Sequence, residues 1–170
     1  MEPMIAGLGP LFSSEKLGSL IDVEENGDAW YYKSGRYFGD HYKGWKVRNP
    51  VHLPEPGPIA VLTSGQTGSS GEIVAISFIG NARTRSFGSP TWGLTTGNRS
   101  FELPDGARIF LAATIMADRS NRKYDGPIHP DVLVEDNAET AEDEILMEAT
   151  KWLGEAVGKS GSRENCANRS

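Results

Sequence analysis

The 170-residue chain contains a single cysteine, Cys166, in a polar C-terminal stretch. This excludes a disulfide framework and a cysteine-rich metal site within one chain. Basic residues are also outnumbered: 17 Lys and Arg face 23 Asp and Glu, a net charge of -6. A general nucleic-acid binder needs a basic face, so that class is not expected. No apolar run is long enough to span a bilayer as a helix. The opening "MEPMIAGLGPLF" lacks the basic start and sustained apolar stretch of a secretion signal. Histidine is scarce, and Asp40-His41 with His52 finds no third ligand at a recognisable spacing, so neither a metal nor a cofactor is expected.

Enough remains for one compact domain with a real core. The hydrophobic content is 38% and the charged content 24%, ordinary for a globular protein. Twenty glycines and ten prolines imply many turns in a mixed α/β chain. The segment "PMIAGLG" has a short helical pattern almost at Met1, as if the chain began partway into a fold. Residues 17–53 interleave aromatic residues with the turn pairs Ser34-Gly35 and Lys43-Gly44, which predicts strands and hairpins inserted beside the main sheet. The cluster "WYYKSGRYFGDHYKGW" is expected to be hairpin packing. The run "IAVLT" (59–63) predicts a strand buried on both faces of a parallel sheet. A largely buried helix is predicted over 70–79, a strand over 84–88, and a hairpin around Asp105-Gly106. Beyond a turn and extended piece at 125–134, a helix is predicted over 139–157, with Ile145, Ala149, Trp152, Leu153 and Ala156 on one stripe. Residues 1–157 thus form the core domain, and a disordered tail is expected over 158–170.

The chemistry concentrates in "VLTSGQTGSSGEIVAISFIG" (61–80), a strand, a turn of small residues, then a helix. That is the geometry of a nucleophile elbow, in which helix N–H groups can stabilise an oxyanion. Gly65, Gly68 and Gly71 leave room for a substrate backbone, although Thr67 stands where Gly-x-Ser-x-Gly would begin. The same residues also make a capping box, Ser69-x-x-Glu72, worth about 0.5–2 kcal/mol. Locally, capping is the plainer reading, and both remain open. A phosphate loop is excluded by the lack of a Gly-Lys-Ser/Thr ending, and the dinucleotide glycine pattern is absent.

Four motifs in order extend beyond the turn: Thr67-x-Ser69-x-x-Glu72, Gly88-x-x-Thr91-x-Gly93, Leu103-Pro104-Asp105-Gly106 and Pro130-Asp131. Together they resemble the catalytic core of the tail-specific (C-terminal processing) serine peptidases over about residues 57–134. The resemblance implies an α/β fold of the crotonase/ClpP-like spiral type. It implies Ser69 as nucleophile, with the N–H of Ser70 donating to the oxyanion. Strict tail-specific members place a lysine directly after Thr-x-Gly. Here that position is Leu94, which points to the tricorn-core and interphotoreceptor retinoid-binding branch. In tricorn-like members the base is a histidine preceding the core, and a second oxyanion donor comes from a glycine-rich turn upstream. Neither segment is recognisable here, so the chain is expected to be the C-terminal part of such a core. The resemblance places a supporting acid near Asp125, with Asp118 as an alternative.

Serine needs a base within hydrogen-bond reach, and His41, His52 and His129 each look like surface or turn residues. The expected activity is peptide hydrolysis through an acyl-enzyme on Ser69, acting on a peptide or protein, with room for a homo-oligomer. The rival is a non-catalytic module on the same fold that binds a peptide or apolar ligand.

Overall fold

The computed structural model describes residues 2–12, 16–53, 57–135 and 142–167. A short helix α1 (Glu2–Leu8) and a 3-10 turn precede four strands: β1 (Lys16–Asp22), β2 (Gly27–Lys33), β3 (Arg36–Gly39) and β4 (Tyr42–Lys46). Then come β5 (Ile59–Thr63), α2 (Ser70–Phe78), β6 (Thr84–Gly88), β7 (Thr96–Glu102), β8 (Arg108–Asp118), β9 (Lys123–Tyr124), β10 (Val132–Leu133) and α3 (Glu144–Ala167).

Two sheets result. The antiparallel one runs β4-β3-β2-β1-β8-β7, with β9 also paired to β8. The other is parallel, in the order β10-β6-β5. Parallel neighbours need a crossover, and α2 supplies it between β5 and β6. This helix is apolar almost all round and is buried at Ile73, Ala75, Ile76 and Phe78, because it packs on β1 and β8 as well as on β5. Two polar side chains are buried in it: Glu72, and Ser77, which donates to Ile73 O at 2.8 Å and accepts from Trp30 Nε1 at 3.0 Å. The core joins Ile5 and Ala6 of α1 to Leu17, Trp30, Tyr37, Ile73, Ile76, Met116 and Ile128.

Helix α3 covers the other face of the parallel sheet, with Trp152 against Phe87 at 5.6 Å between rings. Asp143 caps it through Oδ1, which accepts from Leu146 N at 2.8 Å. The stripe of Ile145, Ala149, Trp152, Leu153 and Ala156 is the half-buried or buried face, as its spacing requires.

The structure corrects three expectations. Strand β5 is not buried on both faces: Leu62 is 43% exposed, because β5 is the end strand of its sheet and α3 covers it only in part. Lys43-Gly44 makes no turn. Gly44 sits inside β4 at φ 64°, where the β3–β4 register shifts, and the chain reverses at Asp40-His41 instead. Helix α3 begins at Glu144, so residues 142 and 143, expected within it, are not helical, and its backbone runs to Ala167. Glu139, expected in its first turn, lies outside the described residues. Ser34-Gly35 does form the β2–β3 turn, both residues having positive φ.

The aromatic hairpins have a measurable consequence. The hydroxyls of Tyr37 and Tyr42 share a hydrogen bond at 2.6 Å. Burial raises both phenols, Tyr42 to about 12. An unfolded tyrosine titrates near ~10, so the folded state holds protons that the unfolded state releases. The stability this contributes is present below pH ~10 and is lost as pH rises through the folded value. The urea midpoint should therefore fall steeply above pH ~10, and less so in a Tyr37→Phe, Tyr42→Phe double variant. A midpoint unchanged over that range would show that the pair is solvated.

Candidate active site

Thr63 ends β5 and the chain turns tightly before α2. Thr67 N donates to Ser64 O at 2.8 Å, and its side-chain oxygen accepts from Ser64 N at 3.1 Å. Ser69 then adopts φ 50°, ψ -110°. Such a conformation costs a non-glycine residue about 1–3 kcal/mol. Glycines stand at 65, 68 and 71, yet a serine holds the strained position.

Glu72 holds it there. Ser69 and Glu72 face each other as a capping box, and the hydrogen bond of full geometry within it runs from Ser69 N to Glu72 Oε2 at 2.7 Å. In the other half of the box the Ser69 side-chain oxygen faces the backbone N–H of Glu72 as acceptor. The other carboxylate oxygen, Oε1, accepts from Thr91 Oγ1 at 2.6 Å and Gly93 N at 2.8 Å. Glu72 is completely buried. One carboxylate thus joins the elbow to the loop between β6 and β7.

That loop is pinned along its length. Trp92 N donates to Thr67 O at 2.8 Å, and Thr91 exchanges backbone and side-chain hydrogen bonds with Ile128. A Cβ placed on Gly68 would stand 3.4 Å from Trp92 Cβ and 3.6 Å from Leu94 Cδ1, so these side chains flank the elbow. Both are more than half exposed. The N–H of Ser70, at the helix start, has no partner among the described residues.

The profile of peptidase family S41 matches residues 19–134, about two thirds of the chain. The chain belongs to peptidase family S41.

The nisin-resistance protein of Lactococcus lactis subsp. lactis is 30% identical over 133 residues, which cover 78% of this chain and 41% of that protein. A lipoprotein from Streptococcus agalactiae superposes with a TM-score of 0.66 at 30% identity, covering 91% of this chain and 50% of that one. The photosystem II D1 C-terminal processing protease shares the fold at 15% identity, with a TM-score of 0.56 over 79% of this chain and 31% of its own. The chain therefore spans half the length or less of these similar proteins.

Against the S41 frame, position 94 adjoins the elbow, and an aliphatic side chain there supplies no base. The structure does not bring the histidines to Ser69. His41 Nδ1 lies 3.3 Å from Asp28 Oδ1, on the β3–β4 turn. His52 is exposed in the stretch before β5, and His129 lines a cavity of about 180 Å³ with Val61, Phe78 and Ile79. Among the described residues, no hydrogen bond links a histidine to Ser69. Asp118 is committed elsewhere: its carboxylate accepts from Ser120 N, Arg122 N and Tyr124 OH, holding the β8–β9 turn. Asp125 is exposed, but it precedes a segment docked on the site loop. Gly126 N donates to Thr95 Oγ1 at 3.1 Å, and Pro127 packs on Gly93.

Glu72 is the residue whose full role the sequence did not reveal. The box Ser69-x-x-Glu72 and the motif Thr91-x-Gly93 were both legible, but nothing in their spacing says that one carboxylate serves both.

Proposed function

We propose that this S41 chain carries the nucleophile of a serine peptidase, with Ser69 attacking a peptide carbonyl to form an acyl-enzyme that water hydrolyses. The observation that carries this reading is the backbone of Ser69. A serine at φ 50°, ψ -110° on a strand-to-helix turn lifts its hydroxyl out of the turn, as a nucleophile elbow does. A residue serving only as a cap would sit in the relaxed β region. The Ser70 N–H at the start of α2 would donate to the oxyanion, aided by the helix dipole. Asp125 is the supporting acid in this reading, tethered beside the site loop through Gly126 and Gly93. The crotonase-like spiral belongs to the same proposal, supported by the parallel β5–α2–β6 unit and the S41 likeness.

The test is labelling with a fluorophosphonate probe and mass-spectrometric mapping. The expected adduct lies on Ser69 and disappears in Ser69→Ala. An adduct elsewhere, or one that persists in the variant, removes Ser69 from the reaction.

Leu94 beside the elbow, and histidines placed away from it, favour a second reading: a module that binds a peptide or apolar ligand without cleaving it. No adduct at all on a folded chain supports that reading. The fold hosts either role.

A further inference from the structure

Strand β7 ends the antiparallel sheet and pairs with β8 alone among the described residues. From residue 98 outward the β7–β8 ribbon leaves the core, and residues 98–102 and 108–112 are all exposed. Its two faces differ. The register sets Phe101 opposite Ile109 and Arg99 opposite Leu111, so Phe101, Ile109 and Leu111 share a face on which they are 48%, 41% and 51% exposed. The other face carries Ser100, Phe110 and the cross-strand pair Arg108–Glu102 at 3.5 Å. A two-stranded ribbon is marginal in water, and a long edge strand with apolar flanks is a template for pairing with another chain.

The edge is continuous with the candidate site. Gly93 is bonded to Glu72, Leu94 flanks Gly68, and β7 begins at Thr96. Strand β7 thus follows directly on the loop that Glu72 ties to the elbow, and a chain paired to its first residues lies beside that loop. Family S41 acts on polypeptides, and an extended polypeptide is what a free strand edge recognises: main-chain bonds give affinity, and alternate side chains give specificity.

We propose that the free edge of β7 is the docking strand for an extended peptide substrate, which lays every second side chain, apolar, on the Phe101–Ile109–Leu111 face. This rests on the peptidase reading above and names its substrate class: segments that alternate apolar and polar residues.

The probe is a capped peptide of alternating valine and threonine, titrated into the isotope-labelled chain and followed by amide NMR. Three relatives accompany it: a shuffled peptide of the same composition, one N-methylated at every valine, and one N-methylated at every threonine. Alternate amides of a strand point to the same edge, so one methylated set should lose about tenfold or more in affinity and the other should bind unchanged. Shift changes should centre on residues 98–101, and the shuffled peptide and Phe101→Glu should both weaken binding. Equal behaviour of the two methylated sets, or shift changes elsewhere, overturns the proposal. So does a dimer in sedimentation that Phe101→Glu dissolves and the peptide does not displace, since the occupant is then a second copy. Fluorophosphonate labelling of the unsubstituted chain separates the two readings. Labelling at Ser69 without binding at β7 overturns only the docking strand, and binding without labelling overturns only the nucleophile.

Discussion

Glu72→Ala should destabilise the chain by about 4 kcal/mol or more and abolish labelling at Ser69. Glu72 is completely buried, and its carboxylate receives Ser69 N, Thr91 Oγ1 and Gly93 N. Alanine strands all three donors. A buried donor without a partner costs about 1–3 kcal/mol, and the vacated volume adds a cavity term. A domain has only about 5–15 kcal/mol in all, so the variant should unfold at low urea. Glu72→Gln distinguishes mere volume from chemistry. The amide oxygen can keep Thr91 and Gly93, but its NH2 then faces Ser69 N, donor against donor. That variant should lose about 1–3 kcal/mol, with labelling of Ser69 falling further than the stability loss explains. Urea unfolding followed by tryptophan fluorescence, beside labelling rates, checks both. A loss under about 1 kcal/mol in Glu72→Ala would show that the elbow stands without its carboxylate.

Gly88→Ala should destabilise by about 3 kcal/mol or more, because two penalties coincide. Gly88 has φ 118°, and a Cβ there would lie 2.1 Å from Thr63 O. That oxygen cannot retreat freely: it accepts from Ser89 N at 3.1 Å, while Thr63 Oγ1 donates to Ser89 O at 3.0 Å. The displaced atoms belong to the last residue of β5, so the elbow should shift as well. Gly106→Ala is the control. Gly106 has φ 85° in the β7–β8 turn, and nothing lies within 4 Å of its added Cβ. Only backbone strain applies there, about 1–2 kcal/mol. Equal thermal shifts in the two variants would show that the Thr63 contact relaxes.

Much of the fold could be read locally because its elements are encoded locally. Residues 59–63 and 84–88 became strands at the expected bounds, and the helix after Ser69 ended one residue early, at Phe78. Apolar runs, a capping residue and glycine punctuation suffice for that. The misreadings share a cause. Lys43-Gly44 has the composition of a turn, but whether φ 64° at Gly44 closes a hairpin or bends a strand depends on how β4 meets β3. The apolar run of β5 does not say how many neighbours the strand has.

The candidate site divides the same way. By itself the sequence determined that a serine flanked by glycines would sit between a strand and a helix, that Glu72 would face it three residues on, and that position 94 would bear no charge. These are matters of residue type and short spacing. Only the tertiary structure decided that Ser69 is held in a strained conformation, that Glu72 also binds Thr91 and Gly93, that the histidines lie elsewhere, and that β7 pairs with β8 alone among the described residues. Each of these depends on groups far apart in the chain meeting in a dry interior or being left uncovered. Burial and partnership of that kind are properties of packing, which no local pattern contains.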